Sequence, residues 1–166
     1  ELCEKIGGDV DNVTEALSLA RQRIISPKYL RAGMGDGGGC HPRDQLALSW
    51  LAGQVDLSTD IFGYLMSARD EQTSWQARLC VESSEILGLP IRICGREYKA
   101  ETKLTVGSPS RLLMSLLEGR AEWQDSPPSE PAVYFIGVNH VRYADWNWPS
   151  GSLVIDPWGI VPDQHG

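Results

Sequence analysis

The chain has 166 residues, an ordinary apolar content of 42% and a formal net charge of -7, enough for one sizeable core or two small ones. The acidic balance leaves no basic surplus for phosphate backbones, which argues against nucleic acid as the main partner but allows a local basic site for a small phosphate. No apolar run is long enough to span a bilayer, and no secretory leader is visible.

In chain order, residues 1 to about 55 read as helical, interrupted by one long loop. The first residues read as the last turns of a helix and not as a natural start. Gly7-Gly8 ends that helix, and Asp9 to Asn12 offers caps for the next, with Val13, Leu17 and Ala20 on one face. Pro27 opens an irregular stretch that runs into Gly37-Gly38-Gly39-Cys40-His41-Pro42-Arg43-Asp44. The next helix is expected over Asp44 to Gln54.

From Thr59 to Leu87 there is no proline and a single glycine, Gly63. Ile61, Leu65, Ala68, Gln72, Trp75, Leu79 and Ile86 recur at three and four, which predicts one helix about 40 Å long at about 1.5 Å per residue. Its stripe is either a core face or a dimer element. Gly88-Leu89-Pro90 breaks the pattern. Strands are then expected at 91–94, 121–124, 132–137 and 152–156, with a helix over 110–117. Strands alternating with a helix and crossovers predict a small parallel sheet. The fold expected is α/β: a helical region over 1–87 with one long helix, then a small parallel-sheet, Rossmann-like domain over 88–166. There is no internal repeat.

Cys40 carries the sharpest chemical signal. A thiol in a glycine-rich turn before a helix sits among backbone N–H groups at the positive helix end, which favours thiolate, and Arg43 adds charge nearby. The plain alternative is a buried, inert cysteine. Asp44 reads as the N-cap of the following helix, and also as a group able to orient a water or lysine beside the thiol. The other cysteines, Cys3, Cys80 and Cys94, form no C-x-x-C pair with it or each other. They read as free thiols of a reducing compartment, hence a cytoplasmic protein. No metal site is expected from His41, His140 and His165.

Gly33-Met34-Gly35-Asp36-Gly37-Gly38 spells G-x-G-x-x-G, but no strand precedes it, so it is not read as a dinucleotide fingerprint. Tyr98 and Lys99 lie just past an expected strand, where open parallel sheets bind ligands, and a lysine there could hold a phosphate. Trp50 and Trp75 are expected in the core. Trp146, Trp148 and Trp158 are expected to pack over a sheet edge, the alternative being stacking on a base or sugar.

Taken together, Tyr29 to Asp44 resembles the nucleotide-sugar dehydrogenase loop in which glycines lead into G-G-x-C-F-P-K-D. Gly95 to Thr102 with Ser108-Pro109 resembles that family's G-x-[AS]-[FY]-K-x-[DE]-T and R-x-S-P. Val133 to Gly159, with Asn139-His140 and Val154-Ile155-Asp156-Pro157-Trp158-Gly159, is similar to its closing strand, turn and V-x-D-x-x-G. The resemblance covers nearly the whole chain, without the family's N-terminal NAD domain and its catalytic lysine. It implies oxidation of a sugar C6 alcohol to a carboxylate with two NAD, through a thiohemiacetal and thioester on Cys40, with Asp44 assisting water and proton transfer. UDP-glucose is the expected substrate. Tyr29, Arg31, Gly33, Gly35, Gly37, Tyr98, Lys99 and Arg23 would contact the nucleotide sugar. Cys40, His41 and Arg43 would line the nicotinamide end. The family pairs into homodimers through the helix over 59–87. Departures are His41, Arg43, Asp36, Val106 in place of the R-x-S-P arginine, and Ile24 in place of an arginine that Arg23 could replace. The stretch 123–132 is short for a strand–helix crossover. The competing reading is a non-catalytic dimeric module that binds nucleotide sugar. A cysteine hydrolase pairing Cys40 with His140 has only composition behind it.

Overall fold

The computed structural model describes residues 3, 7–21, 30–35 and 39–162. By contacts the chain falls into two compact units, Glu1–Gly33 and Met34–Gly166. In the first, helix α1 spans Val10–Ser18, and the Asp9 carboxylate caps it by accepting from the backbone N–H groups of Asp11 and Asn12. No residue of α1 is buried, and Val13 and Leu17 stay exposed.

The second unit opens with α2 (Cys40–Gln54) and α3 (Ile61–Leu87). They are joined by Asp60, whose carboxylate caps α3 by accepting from the Gly63 N–H at 3.0 Å and also accepts from the Ser49 hydroxyl of α2 at 2.5 Å. A Cβ on Gly63 would stand 2.6 Å from that carboxylate, so glycine there makes room for the cap. Gly88, at φ 67, ends α3 in the left-handed conformation that glycine adopts without strain. The predicted length of α3 is met, at 27 residues.

Four strands follow: β1 (Ile91–Cys94), β2 (Ala121–Trp123), β3 (Val133–Ile136) and β4 (Leu153–Ile155), with α4 (Pro109–Leu116) between β1 and β2. They form one parallel sheet in the order β2-β1-β3-β4. Ile91, Ile93 and Phe135 face α3 and α4, meeting Ala77, Cys80, Leu113 and Leu117. The opposite face carries Cys94, Tyr134 and Ile136, covered by Tyr143, Trp146 and Trp148. Here the aromatic cluster stands where a covering helix would. Tyr143 and Trp146 ring centroids lie 4.6 Å apart, and Trp158 donates its indole N–H to the Ile136 carbonyl at 3.0 Å. The tryptophans after residue 145 therefore pack on a face of the sheet and not over its edge as expected.

One expectation about packing is corrected, and of the two readings of the α3 stripe the core face is not met. Trp50 is 67% exposed, not core. On α3 the buried residues are Thr73, Gln76, Ala77 and Cys80, while Ile61, Leu65 and Ile86 of the expected stripe are at least half exposed. Thr73, Ala77 and Cys80 are small and let the helix lie close on the sheet, while the stripe is exposed at its ends, at Ile61, Leu65 and Ile86. The expected boundary at residue 88 separates helices from strands in sequence, yet α3 packs on β1, β3 and α4. The short β2–β3 link, residues 124–132, contains no helix. Nine residues can extend over roughly 30 Å, and the proline-rich chain uses that reach to cross β1.

Candidate active site

The strand order places a switch point at the carboxyl ends of β1 and β3. From β1 the chain moves outward to β2; from β3 it moves the other way to β4. Open parallel sheets bind ligands in the crevice this leaves. Both strands leave the sheet through glycine. Gly95 has φ 92, and a Cβ on it would meet the Val138 side chain at 2.9 Å and the Tyr143 hydroxyl at 3.2 Å. Gly137 has no room for a Cβ either, because Ser110 of α4 occupies that space.

The loop leaving β1, residues 95–108, is tied at several points. The Tyr98 N–H donates to the Leu104 carbonyl at 2.9 Å, Thr102 Oγ1 to the Lys99 carbonyl at 2.8 Å, and Ser108 Oγ to the Glu97 carbonyl at 3.1 Å. Ser108 is also the N-cap residue of α4, with Pro109 in the first turn, where its missing N–H costs nothing. That explains Ser-Pro as a loop closure. His140, 5% exposed, reaches in from the turn after β3. Its Nε2 lies 3.1 Å from Glu97 Oε2 and its Nδ1 lies 3.2 Å from Glu101 Oε1. Partial burial raises the Glu97 pKa, but His140 and nearby backbone N–H groups outweigh it and hold the carboxyl below its ordinary value. His140 and the Val141 N–H lower Glu101 likewise. Both ring nitrogens are thus engaged by this loop, and none of these contacts supports pairing with Cys40 as in a cysteine hydrolase.

Tyr98 is half-buried and Lys99 exposed at the tip of this loop. At the neighbouring edge Arg96 pairs with Asp125 and lies over the Trp123 ring, 5.0 Å from its centroid.

Cys40 is exposed and is the first residue of α2, whose N-cap is Gly39 with no side-chain cap. The helix thus starts four residues earlier than expected, and Asp44 is not its N-cap. Asp44 instead accepts from Arg43 Nε at 2.8 Å, one turn along from the thiol. That hydrogen bond lowers the Asp44 pKa and raises that of Arg43. Cys40, His41, Arg43 and Asp44 therefore share the first exposed turn of a helix with unpaired N–H groups.

The glycine loop is anchored by Met34, 3% exposed, whose sulfur stands 3.7 Å from Ser110 Oγ, while that hydroxyl bonds the Gly137 carbonyl at 2.9 Å. Gly35 follows at φ 104, a conformation reserved for glycine. Arg31 and Gly33 belong to the first unit, where Arg31 lines a cavity of about 290 Å³ along α1 with Asp11, Thr14, Glu15 and Ser18. Arg23, Tyr29 and Gly37, also expected to contact substrate, lie outside the described residues. Sequence reasoning missed Met34, Ser110 and Glu97 as parts of this region. Among the described residues there is no cluster of three or more His, Cys, Asp or Glu side chains able to hold a metal, and no helix long and apolar enough to cross a membrane.

Residues 1–70 match the family described as UDP-glucose/GDP-mannose dehydrogenase, central domain. A UDP-glucose 6-dehydrogenase of Rickettsia bellii is 30% identical over 120 residues, covering 70% of this chain and 27% of that protein. UDP-glucose 6-dehydrogenase YwqF of Bacillus subtilis is 28% identical over 149 residues, covering 86% of this chain and 31% of that protein. The chain thus spans about a quarter to a third of the length of these relatives. A UDP-D-ManNAc dehydrogenase structure from Pyrococcus horikoshii shares the fold at TM-score 0.75 and 21% identity, over 98% of this chain and 43% of that one. A UDP-glucose dehydrogenase structure from Pyrobaculum islandicum does so at TM-score 0.72 and 21% identity, over 94% and 41%. Residues 1–70 thus match the central domain of the UDP-glucose/GDP-mannose dehydrogenase family, and the chain as a whole shares the fold of these solved dehydrogenases.

Proposed function

We propose that this chain is the nucleophile-bearing and sugar-nucleotide-binding portion of an NAD-dependent UDP-sugar 6-dehydrogenase, with UDP-glucose as substrate. The observation that carries the reading is Cys40, exposed in the first turn of α2 directly after the glycine loop, with Asp44 one turn further along.

Cys40 Sγ adds to the carbon of a C6 aldehyde, and the carbonyl oxygen takes a proton to give a thiohemiacetal. NAD, were it held at the end lined by Cys40, His41 and Arg43, would supply the oxidising power for both oxidations at C6. Water then attacks the resulting thioester carbon, the C–S bond breaks, and the thiol and carboxylate are released. Asp44 is placed to orient that water and receive its proton. The residues present form only a rim for the dinucleotide. The first strand of the sheet leads into Gly95-Arg96-Glu97-Tyr98-Lys99, and no helix opens before Pro109, so no dinucleotide-binding turn is built here. Cys40, His41 and Arg43 are the groups assigned to the nicotinamide end. Tyr98 and Lys99 at the switch point, with Arg31, Gly33 and Gly35, are assigned to the sugar nucleotide, and Lys99 to its diphosphate.

A functional division near residue 88, and pairing of two copies through α3, complete the proposal. The exposed stripe Ile61, Leu65 and Tyr64 supports the pairing. Val106, 77% exposed where the family motif has arginine, favours a second reading as a non-catalytic nucleotide-sugar-binding module. One experiment tests the shared part: alkylation of Cys40 with and without UDP-glucose. Slower labelling with ligand is expected. Unchanged labelling at millimolar UDP-glucose counts against the site.

A further inference from the structure

Among the groups that the proposed chemistry does not use is His140. It is buried, it carries two hydrogen-bonding nitrogens, and it is aimed at one loop. That loop holds Tyr98 and Lys99, and His140 grips it on both sides of them, at Glu97 and at Glu101. The grip crosses the switch point from the end of β3 to the loop leaving β1.

Glu101 shows that the grip bears a conformational cost. Its φ is 57, a left-handed backbone that a residue with a Cβ seldom adopts. Polar contacts hold it there: its Oε1 accepts from the Val141 N–H at 3.3 Å, and His140 Nδ1 stands 3.2 Å from both its N–H and its Oε1, bonding one or the other. Strain of this kind persists where surrounding contacts over-determine the backbone, and ligand-gripping loops are a common place for it.

The two approaches to Nδ1 belong to different protonation states. A neutral ring with its proton on Nε2 donates to Glu97 and accepts the Glu101 N–H. A charged ring donates to both carboxylates. Each state keeps the loop attached to the turn after β3. The other ionisable groups around the ring are Tyr143, edge-on at a centroid distance of 5.5 Å, and Arg142, which donates to the Tyr143 hydroxyl at 3.2 Å.

We propose that His140 is a positioning residue: by clamping Glu97 and Glu101 it fixes the Tyr98–Lys99 tip over the switch point and so sets the affinity for a nucleoside-diphosphate ligand. This rests on the assignment of that loop to the sugar nucleotide. A preorganised tip spares the ligand the entropy of ordering it.

The test uses this chain, with amide hydrogen exchange and calorimetric titration by UDP-glucose on the same variants. His140→Leu removes both grips. It should speed exchange of the Glu101 amide and weaken UDP-glucose, each by about tenfold or more, with the amides of β1 and β3 still protected. His140→Gln, whose amide can donate to Glu97 and accept from Glu101, should restore both to within about threefold. Faster exchange with unchanged affinity overturns the positioning role, because the clamp is then only a structural pin. Unchanged exchange overturns the clamp itself. If His140→Leu does not fold, Glu101→Gly carries the test. It keeps a positive φ cheap, removes the carboxylate bonds of a side chain that is 67% exposed, and should weaken UDP-glucose by about threefold or more; unchanged affinity there overturns the proposal. If the wild-type chain binds no UDP-glucose, the nucleotide-sugar assignment of the loop fails and the positioning role falls with it, while the exchange arm still decides the clamp separately.

Discussion

The Ser110 hydroxyl stands 3.7 Å from the sulfur of Met34 across 76 residues of sequence. This contact joins the start of the glycine loop to the carboxyl edge of the sheet, because the same hydroxyl bonds the Gly137 carbonyl. Met34, six residues before Cys40, is therefore held by core packing. Met34→Ala should cost about 2–5 kcal/mol of stability, the range for truncating a buried side chain. Gly137→Ala should cost about 1–3 kcal/mol, since its methyl would collide with Ser110 and stand 3.1 Å from the Gly95 carbonyl. Urea titration of both variants gives the numbers; wild-type midpoints would mean that the junction is loose.

The four cysteines should differ sharply in reactivity. Burial pushes the Cys80 and Cys94 thiols up to about 12, so they hold almost no thiolate near neutral pH. Cys40 is exposed at the start of α2 and Cys3 is intermediate. Iodoacetamide at neutral pH, followed by peptide mapping, should modify Cys40 first and reach Cys80 and Cys94 only under denaturing conditions. Labelling of Cys3 ahead of Cys40 would contradict the assignment of Cys40 as the nucleophile.

Stability should fall in acid, with a known sign. Asp60 is held below the ordinary carboxylate range by the Ser49 hydroxyl and the Gly63 N–H, and Glu97 and Glu101 by the contacts described above. A carboxyl whose folded pKa is lower than its unfolded value, about 3.9 for Asp and 4.3 for Glu, contributes stability that is fully present above that range. The contribution is lost as pH falls through the folded pKa. The urea midpoint should therefore drop between pH 6 and pH 3. Asp60→Asn should be less stable at pH 6 and show a shallower drop. Equal slopes for variant and wild type would remove Asp60 from the account.

In solution the chain should be a dimer. Ile61 is 56%, Leu65 50% and Tyr64 71% exposed along the first turns of α3, and Trp50 of α2 adds a fourth exposed apolar side chain. Leu65→Glu should shift the mass measured by light scattering from dimer to monomer, with little loss of secondary structure. A wild-type mass near 18.3 kDa at micromolar concentration would dismiss the pairing.

The strands were legible because buried parallel strands read as short apolar runs between breakers. Ile91–Cys94 lies between Pro90 and Gly95, and Val133–Ile136 between Pro131 and Gly137. The length of α3 was legible from the absence of breakers. Its buried face was not, because Thr73, Gln76, Ala77 and Cys80 are less apolar than the stripe, whose ends stay exposed. Asp44 was read as an N-cap by local rule, yet Gly39 already caps the helix and Cys40 starts it. The Glu97–His140 pair spans 43 positions, and nothing local in a sequence signals a contact at that separation.

These 166 residues by themselves should not reduce NAD with UDP-glucose. Hydride transfer requires the nicotinamide to be fixed within reach of C6, and that positioning supplies much of such a rate. The sheet here leads from β1 into a loop of fourteen residues before Pro109 opens α4, whereas a dinucleotide turn needs a helix N-terminus directly after the strand. The nucleotide sugar should nevertheless bind weakly, through the switch-point loop. Lys99→Ala should lower that affinity by about tenfold, the scale of one charge-assisted contact to phosphate. Because Lys99 is exposed, its loss should leave the fold unchanged, and equal melting temperatures would show that the change lies in binding. Two calorimetric titrations, with UDP-glucose and with NAD, separate the outcomes, and a spectrophotometric assay for NADH completes the test. Measurable NADH formation by the chain alone would overturn the view that the residues present form only a rim for the dinucleotide.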